Sequence, residues 1–350
     1  MIGFALEGGG AKGAYQAGAY IALVTNGIKP KIIAGTSIGS LNAALMAQGD
    51  IKKLVSLWLN TTTDIFGINS KLIDTIKHKK IKKEDVLLGY DNLKQIIENK
   101  GIDTSEFLKI VSENIDEKKL RKSKIKFGLI TVKVKGMKPL ELTIDEIPEG
   151  KVAEYIMASC YLPIFNLKPI IDNNYYIDGG FYNNVPLSLV EHYGCDTIYS
   201  IRIKGIGFSR NHLKPETKVI EIKPKGNLGS IILFDRESNE RNMKLGYLDA
   251  LRVIKNLDGD DYYFYHKKDK YYNRITRNIS LELMNKLKTK YKVKTSKEVV
   301  IKVVEQLLKK ENRNNLMLLN IKKEIRYIKK NIIIDIPIIK IEDINIHTLI

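Results

Sequence analysis

The apolar positions of this chain begin in short runs. Ile2 to Leu6 is an apolar segment of strand length, and a glycine run follows it at once. Bounded by turn residues, such a segment predicts a strand buried on both faces. From Gly13 to Thr25, alanine, tyrosine and leucine predict a helix, which Asn26-Gly27 ends. Beyond Pro30, Lys31 to Ala34 predicts a second short strand, followed by "GTSIGS" and a small-residue helix over Leu41 to Gln48. Strand, helix, strand, helix in this order predicts an α/β fold on a parallel sheet.

Residues 51 to 126 lose the strand pattern. They are amphipathic and lysine-rich, with "KHKKIKK" at Lys77 to Lys83 and helical periods through Leu93, Ile96 and Ile97 and through Phe107, Leu108 and Val111. The expectation is a helical insertion able to act as a lid. Strand pattern returns at Ile125 to Val134 and Pro139 to Ile144, and a helix over Val152 to Ser159 is stopped by Pro163. Lys168 to Ile177 predicts a hairpin turning at Asn173-Asn174. Further on come a helix at Leu187 to His192, strands at Thr197 to Ile203 and Lys218 to Ile222, a helix at Glu237 to Leu257, and a last core strand at Tyr262 to Tyr265.

Charge sets the C-terminal end apart. From Thr276 onward, 17 Lys and Arg face 8 Asp and Glu, which is half of the chain's formal excess of +18. Residues 1–275 are therefore read as the main domain, carrying the insertion at 51–126, and 276–350 as a basic, mainly helical extension. Apolar pairs recur there at helical spacing, as in Val299-Val300, Val303-Val304 and Leu307-Leu308. Such stripes pack on their own domain in most proteins; a basic helix can also dock on anionic lipid, at about 1 kcal/mol per well-placed Lys or Arg.

With 350 residues, 44% of them apolar and 28% charged, the chain can bury a sizeable core, and disorder throughout is not expected. A net charge of +18 favours anionic partners such as lipid head groups, nucleic acid or polyphosphates. Cys160 and Cys195 have no paired spacing, so neither a disulfide framework nor a zinc site is expected, and a reducing compartment fits. There is no h-region of a secretory signal, and the longest apolar stretch, Asn331 to Ile346, is broken by Asp335, Pro337, Lys340, Glu342 and Asp343. A cytoplasmic protein is expected, touching the inner face of the membrane peripherally at most.

Three patches carry candidate chemistry. Gly8-Gly9-Gly10-Ala11-Lys12-Gly13 fits the glycine pattern of dinucleotide loops, but the second strand ends at Ala34-Gly35-Thr36-Ser37 without the acidic residue that would hold a ribose. Gly13 after Lys12 also rules out a Walker loop. The second patch, Gly35-Thr36-Ser37-Ile38-Gly39, is a G-x-S-x-G sequence between a predicted strand and a predicted helix. There a sharp turn exposes a serine hydroxyl, and the helix amino end favours developing negative charge. In that light the amides of Gly9 and Gly10 become candidate oxyanion donors, each worth about 3 kcal/mol in a transition state. Lys12, a cation in a first helical turn, is expected to hold the loop or to meet a lipid phosphate. The third patch, Asp178-Gly179-Gly180, puts a carboxylate at a strand end with no side chains behind it to block its approach.

Together these patches, with "ASCYLPIF" at Ala158 to Phe165, resemble the patatin-like phospholipases over about Ile2 to Leu187. The resemblance implies a three-layer α/β core and a Ser37–Asp178 dyad in which the carboxylate takes the serine proton without a histidine. Gly9 and Gly10 would form the oxyanion hole, supported by Gly8, Lys12, Gly13, Gly35, Gly39, Gly179 and Gly180. A carboxylate with a reference pKa of about 4 is a poor base for a hydroxyl unless burial raises it, so Asp178 is expected to be partly desolvated. The implied activity is a phospholipase A type hydrolysis of glycerophospholipid acyl esters through an acyl-enzyme, needing no metal or organic cofactor.

Rival readings remain at this stage. The same dyad could act on other acyl esters or pass the acyl group to another alcohol. His192 lies downstream of Ser37 and Asp178, the chain order of a hydrolase triad, although its place in a short helix fits a capping or surface residue better. Cys160 is expected to be buried packing. "DYYFYHKKDKYYNR" at Asp261 to Arg274 mixes rings and cations as nucleic-acid surfaces do, but alternating strand positions explain it more simply. No nucleic-acid partner is expected.

Overall fold

The computed structural model describes residues 1–63, 103–163, 165–166 and 168–331. The chain divides into two compact units, Met1–Ala250 and Leu251–Ile350.

In the first unit the short apolar runs form the centre of a sheet because they bury both faces. Strand β1 (Ile2–Leu6) pairs in parallel with β2 (Ile32–Thr36) on one side and β6 (Thr197–Ile201) on the other. β3 (Lys126–Lys133) extends the sheet beyond β2, and β7 (Lys218–Ile222) beyond β6, both in parallel. β4 (Lys138–Thr143) closes the β3 edge in antiparallel sense, giving the order β4-β3-β2-β1-β6-β7. Successive side chains of a strand point to opposite faces, and each face meets helices. Phe4 packs edge-on against Tyr20 of α1 (Ala14–Thr25), while Ala5, Ile32, Ala34 and Ile198 pack with Leu189 and Val190 of α7 (Leu187–His192). Helices α2 (Ile38–Ala47) and α6 (Val152–Ser159) complete the core expected from the sequence, and α3 (Ile51–Asn60), read there as part of the insertion, buries Leu54 and Trp58. The result is a mostly parallel sheet between helical layers.

The sheet's register brings two distant segments end to end. β5 (Tyr176–Asp178) pairs antiparallel with β3 at Thr131 to Lys133, while β4 already occupies the other edge of β3 there. β5 therefore continues the lane in which β2 pairs with β3 up to Thr36↔Ile130, and Asp178 takes the next position, opposite Thr131. The last residue of β5 thus abuts the last residue of β2.

Several expectations change. The hairpin at 168–177 is reduced to an Ile171↔Asn174 bridge, and its left-handed residues are Asp172 and Asn173 rather than Asn173 and Asn174. The strand beyond it is drawn away to pair with β3, because that pairing completes the main sheet. Of the insertion at 51–126, α3, α4 (Ser105–Asn114) and α5 (Glu117–Arg121) are seen; residues 64–102, with "KHKKIKK", lie outside the described residues, as does 332–350.

In the second unit, β8 (Tyr263–Phe264) does not join the main sheet. It pairs in parallel with β9 (Leu318–Leu319) in a separate ribbon. Phe264 and Tyr272 share one core with Val299, Val303, Val304 and Leu307, so the tyrosine-rich segment packs with the later helices. The stripes read at Val299-Val300, Val303-Val304 and Leu307-Leu308 are buried on α9 (Ser296–Lys310), whose start is fixed by a Thr295–Glu298 capping box. The unit begins at Leu251, within α8 (Arg236–Lys255), whereas the charge step in the sequence lies near 275.

Candidate active site

Ser37 sits at the turn between β2 and α2 with φ 55° and ψ −132°, a conformation that a residue with a side chain adopts only under constraint. The constraint is visible on every side. Its amide donates to Ser159 Oγ at 2.9 Å, and Ser159 Oγ donates in turn to the Ile130 carbonyl at 2.7 Å. The Ser37 carbonyl accepts from the amide and the hydroxyl of Ser40, at 2.7 and 2.6 Å. Gly35 is required here, since a Cβ on it would lie 2.0 Å from the Gly39 carbonyl oxygen. The elbow is also tied to the Asp178 loop, with Thr36 Oγ1 donating to the Asn183 carbonyl at 2.9 Å.

Asp178 is 3% exposed. Its Oδ1 accepts from the Gly180 amide at 2.7 Å, which orients the carboxylate, and its own amide donates to the Tyr161 carbonyl at 2.8 Å. Burial pushes its pKa up to about 6, while the nearby Ser37 hydroxyl and the Gly180 amide hold back part of that rise. Oδ2 is buried without a completed hydrogen bond. The hydroxyl is thus close enough to act on the carboxylate, but the two do not form a closed hydrogen bond, a common state of catalytic pairs before substrate arrives.

The glycine turn lies across the same end of the sheet. Gly8 exchanges backbone bonds with its surroundings: its amide donates to the Asn184 carbonyl at 3.1 Å, and its carbonyl accepts from Asn184 Nδ2 at 3.1 Å. The Ala11 amide donates to the Ile231 carbonyl at 2.9 Å. Between them the amides of Gly9 and Gly10 have no hydrogen-bond acceptor among the described residues. Gly10 has φ +57°, and a Cβ on it would lie 1.9 Å from the Ile231 oxygen, so no other residue fits. Lys12 Nζ donates to the Lys204 carbonyl at 2.9 Å, which ties the glycine turn to the segment after β6. Gly13 packs against the Trp58 ring, Gly39 against the Leu6 carbonyl, and Gly179 against the Ile130 carbonyl.

Two clefts meet at Ser37. One, of about 80 Å³, is lined by Gly8, Gly9, Gly10, Asp178, Asn184 and Phe208 among others. The other, about 50 Å³, is walled by Ile38, Phe107, Cys160, Phe165, Ile231 and Phe234 and is almost wholly apolar. Burial pushes the Cys160 thiol well above its ordinary pKa, consistent with packing. No described histidine lines either cleft; His192 is exposed at the end of α7. Among the described residues, no cluster of His, Cys, Asp and Glu could hold a metal ion.

The family description that matches residues 4–190 is Patatin-like phospholipase, and that span covers more than half of the chain. The chain belongs to this family. A protein described as "Probable lipid hydrolase 463L", from Invertebrate iridescent virus 6, is 26% identical over 194 residues, 54% of this chain. The chain spans 62% of that relative's length. Among solved structures, VipD from Legionella pneumophila aligns over 95% of this chain and 80% of its own, at 14% identity and a TM-score of 0.43. The type III effector ExoU aligns over 94% and 68%, at 12% identity and a TM-score of 0.34.

Some members of this patatin-like site were not singled out in the sequence. Asn184 lies in "FYNNVPL" but carried no pattern of its own, and the loop "KGIGFSR" (204–210) had only two glycines as a signal. Ile231 and Phe234 lie three residues apart in a stretch without regular pattern, and nothing in the sequence relates them to Phe107, which reads only as part of a helical period.

Proposed function

We propose that this patatin-like chain hydrolyses acyl esters of glycerophospholipids, as a phospholipase A, through a Ser37–Asp178 dyad. The observation that carries the reading is a buried carboxylate with a raised pKa beside a serine on a strained elbow, both opening on clefts with apolar walls. A carboxylate pushed up to about 6 is a stronger base than an ordinary one and still ionised at pH 7.

In the first step Ser37 Oγ attacks the ester carbonyl carbon while its proton passes to Asp178 Oδ2. The carbonyl electron pair moves onto oxygen, and the resulting oxyanion accepts from the Gly9 and Gly10 amides, which have no competing acceptor among the described residues. Collapse of this intermediate expels the glycerol oxygen, which takes the proton back from Asp178. Water gives a proton to the same carboxylate and attacks the acyl-serine carbonyl; the acyl–Oγ bond then breaks, the proton passes from Asp178 to Ser37 Oγ, and a fatty acid leaves. The apolar cleft beside Ile38, Phe107 and Phe234 suits the acyl chain. The net charge of +18 suits approach to an anionic lipid surface, and no described helix is long and apolar enough to cross a membrane.

The test is release of fatty acid from mixed phospholipids by wild type, Ser37→Ala and Asp178→Asn. Release by wild type alone is expected. Full release by Asp178→Asn would remove the dyad, and full release by Ser37→Ala would remove the nucleophile.

A further inference from the structure

Among the described residues, the cleft over Gly9, Gly10 and Asp178 has one ionisable lining residue, and that is an anion, Asp178. A phosphodiester entering it needs a cation at the rim. Lys12, for which a lipid phosphate was one expected partner, donates to the Lys204 carbonyl, and Lys204 Nζ donates to the carbonyls of Lys225 and Gly226. These two lysines brace the loop instead.

Arg210 is differently placed. Phe208, two residues before it, lines the cleft, and its backbone is locked to the Asp178 loop: its amide donates to Gly180 O at 2.9 Å and its carbonyl accepts from Asn184 N at 2.7 Å. The backbone of Arg210 is held in the same way by Asn183, whose Oδ1 accepts from the Arg210 amide at 3.2 Å and whose Nδ2 donates to the Arg210 carbonyl at 3.3 Å. Its guanidinium stands 5.7 Å from the centre of the Phe208 ring and 5.6 Å from that of Tyr182. Rings on which a guanidinium rests limit its freedom without using its N–H groups. Among the described residues no carboxylate pairs with it, and its side chain makes no hydrogen bond. A fork of five donors, oriented on a ring that itself lines the cleft, is suited to take two oxygens of a phosphate.

We infer that Arg210 binds the head-group phosphate of the lipid substrate and makes this site prefer phosphodiester-bearing esters to neutral ones. This rests on the acyl-hydrolase reading above and deepens it. The test compares dihexanoylphosphatidylcholine below its micellar concentration with dihexanoylglycerol, which carries the same esters without phosphate. Wild type, Arg210→Met, Arg210→Lys and Ser37→Ala are assayed on both. Arg210→Met keeps an apolar stem on the rings and is expected to raise KM for the phospholipid about tenfold, the loss of one charge-assisted hydrogen bond. Its kinetics on dihexanoylglycerol should stay within about twofold of wild type, the margin set by assay scatter. Arg210→Lys should fall between, since it keeps the charge and loses the fork.

Equal losses on both substrates would make Arg210 a brace for the loop and overturn the inference. No loss on either, or cleavage by wild type of the neutral ester alone, would overturn it too, while the dyad stands. Hydrolysis of neither ester by wild type, or activity retained in Ser37→Ala, would sink the acyl-hydrolase reading itself and this inference with it.

Discussion

At the scale of single residues, the site combines two unfavourable states, a strained serine and a buried carboxylate. Asp178 has a raised pKa in the fold, so the folded protein holds its proton more tightly than the unfolded chain. Its contribution to stability is therefore greatest below the unfolded value of 3.8 and is lost as pH rises through about 6. At pH 8 the ionised group costs about 3 kcal/mol. Asp178→Asn, which imitates the protonated form, should abolish turnover and yet unfold at a higher temperature than wild type at pH 8. Thermal melts should show that gain shrinking by roughly half at pH 5, where wild-type Asp178 is mostly protonated. The same titration predicts that kcat/KM climbs between pH 5 and 7 with an apparent pKa near 6, because the base must be ionised. Ser37 tells a parallel story. Ser37→Gly and Ser37→Ala should both be inactive, but the glycine variant, free of the φ 55° penalty, should be more stable by about 1 kcal/mol in denaturant unfolding.

At the scale of elements, each reactive group is aimed by backbone that reaches it from another part of the chain. Ser159 ends α6, yet it satisfies the amide of the β2–α2 elbow and relays to β3. Removing its hydroxyl in Ser159→Ala leaves a buried N–H unpaired, at about 1–3 kcal/mol. Steady-state kinetics should show kcat falling with KM little changed, because it is the nucleophile that loosens. Gly10→Ala puts a methyl group 1.9 Å from the Ile231 oxygen and twists the turn that presents the Gly9 and Gly10 amides. A loss of at least about a hundredfold in kcat is expected, with far-UV circular dichroism unchanged. These devices were legible to different degrees. G-x-S-x-G and the glycine run show themselves because tight turns restrict residue type locally. The 168–177 hairpin was misjudged because alternation alone does not say which strand a segment will pair with, and β3 offered the better partner. Tyr262 to Tyr265 reads as a strand either way, but Leu318–Leu319, its actual neighbour, is more than fifty residues on.

At the scale of the whole molecule, charge is the property that composition sets directly. With a formal +18, vesicle co-sedimentation should show binding to phosphatidylglycerol-rich membranes and little to pure phosphatidylcholine. Binding should drop steeply as salt rises from about 0.05 to 0.3 M, as the Debye length shrinks below about 10 Å. Equal binding to both vesicles would leave the charge without a role at lipid. The division at Ala250–Leu251 shows the limit of composition as a guide. The step in charge lies near 275, but Phe264 and Tyr272 belong to the core of the later helices, since contact follows apolar burial and not charge.

What the sequence determined alone was local: the α/β order of elements, the elbow at Ser37, the glycine turn and the loop of Asp178. These are set by steric limits and hydrophobic periods within a few residues. What only the tertiary structure decided was their meeting. Thr36↔Ile130 and Asp178↔Thr131 are consecutive positions on β3, so one strand's register aligns a serine and an aspartate 141 residues apart. The raised pKa and the clefts follow from that alignment, because burial and field depend on every segment packed around a group and on no single stretch of chain.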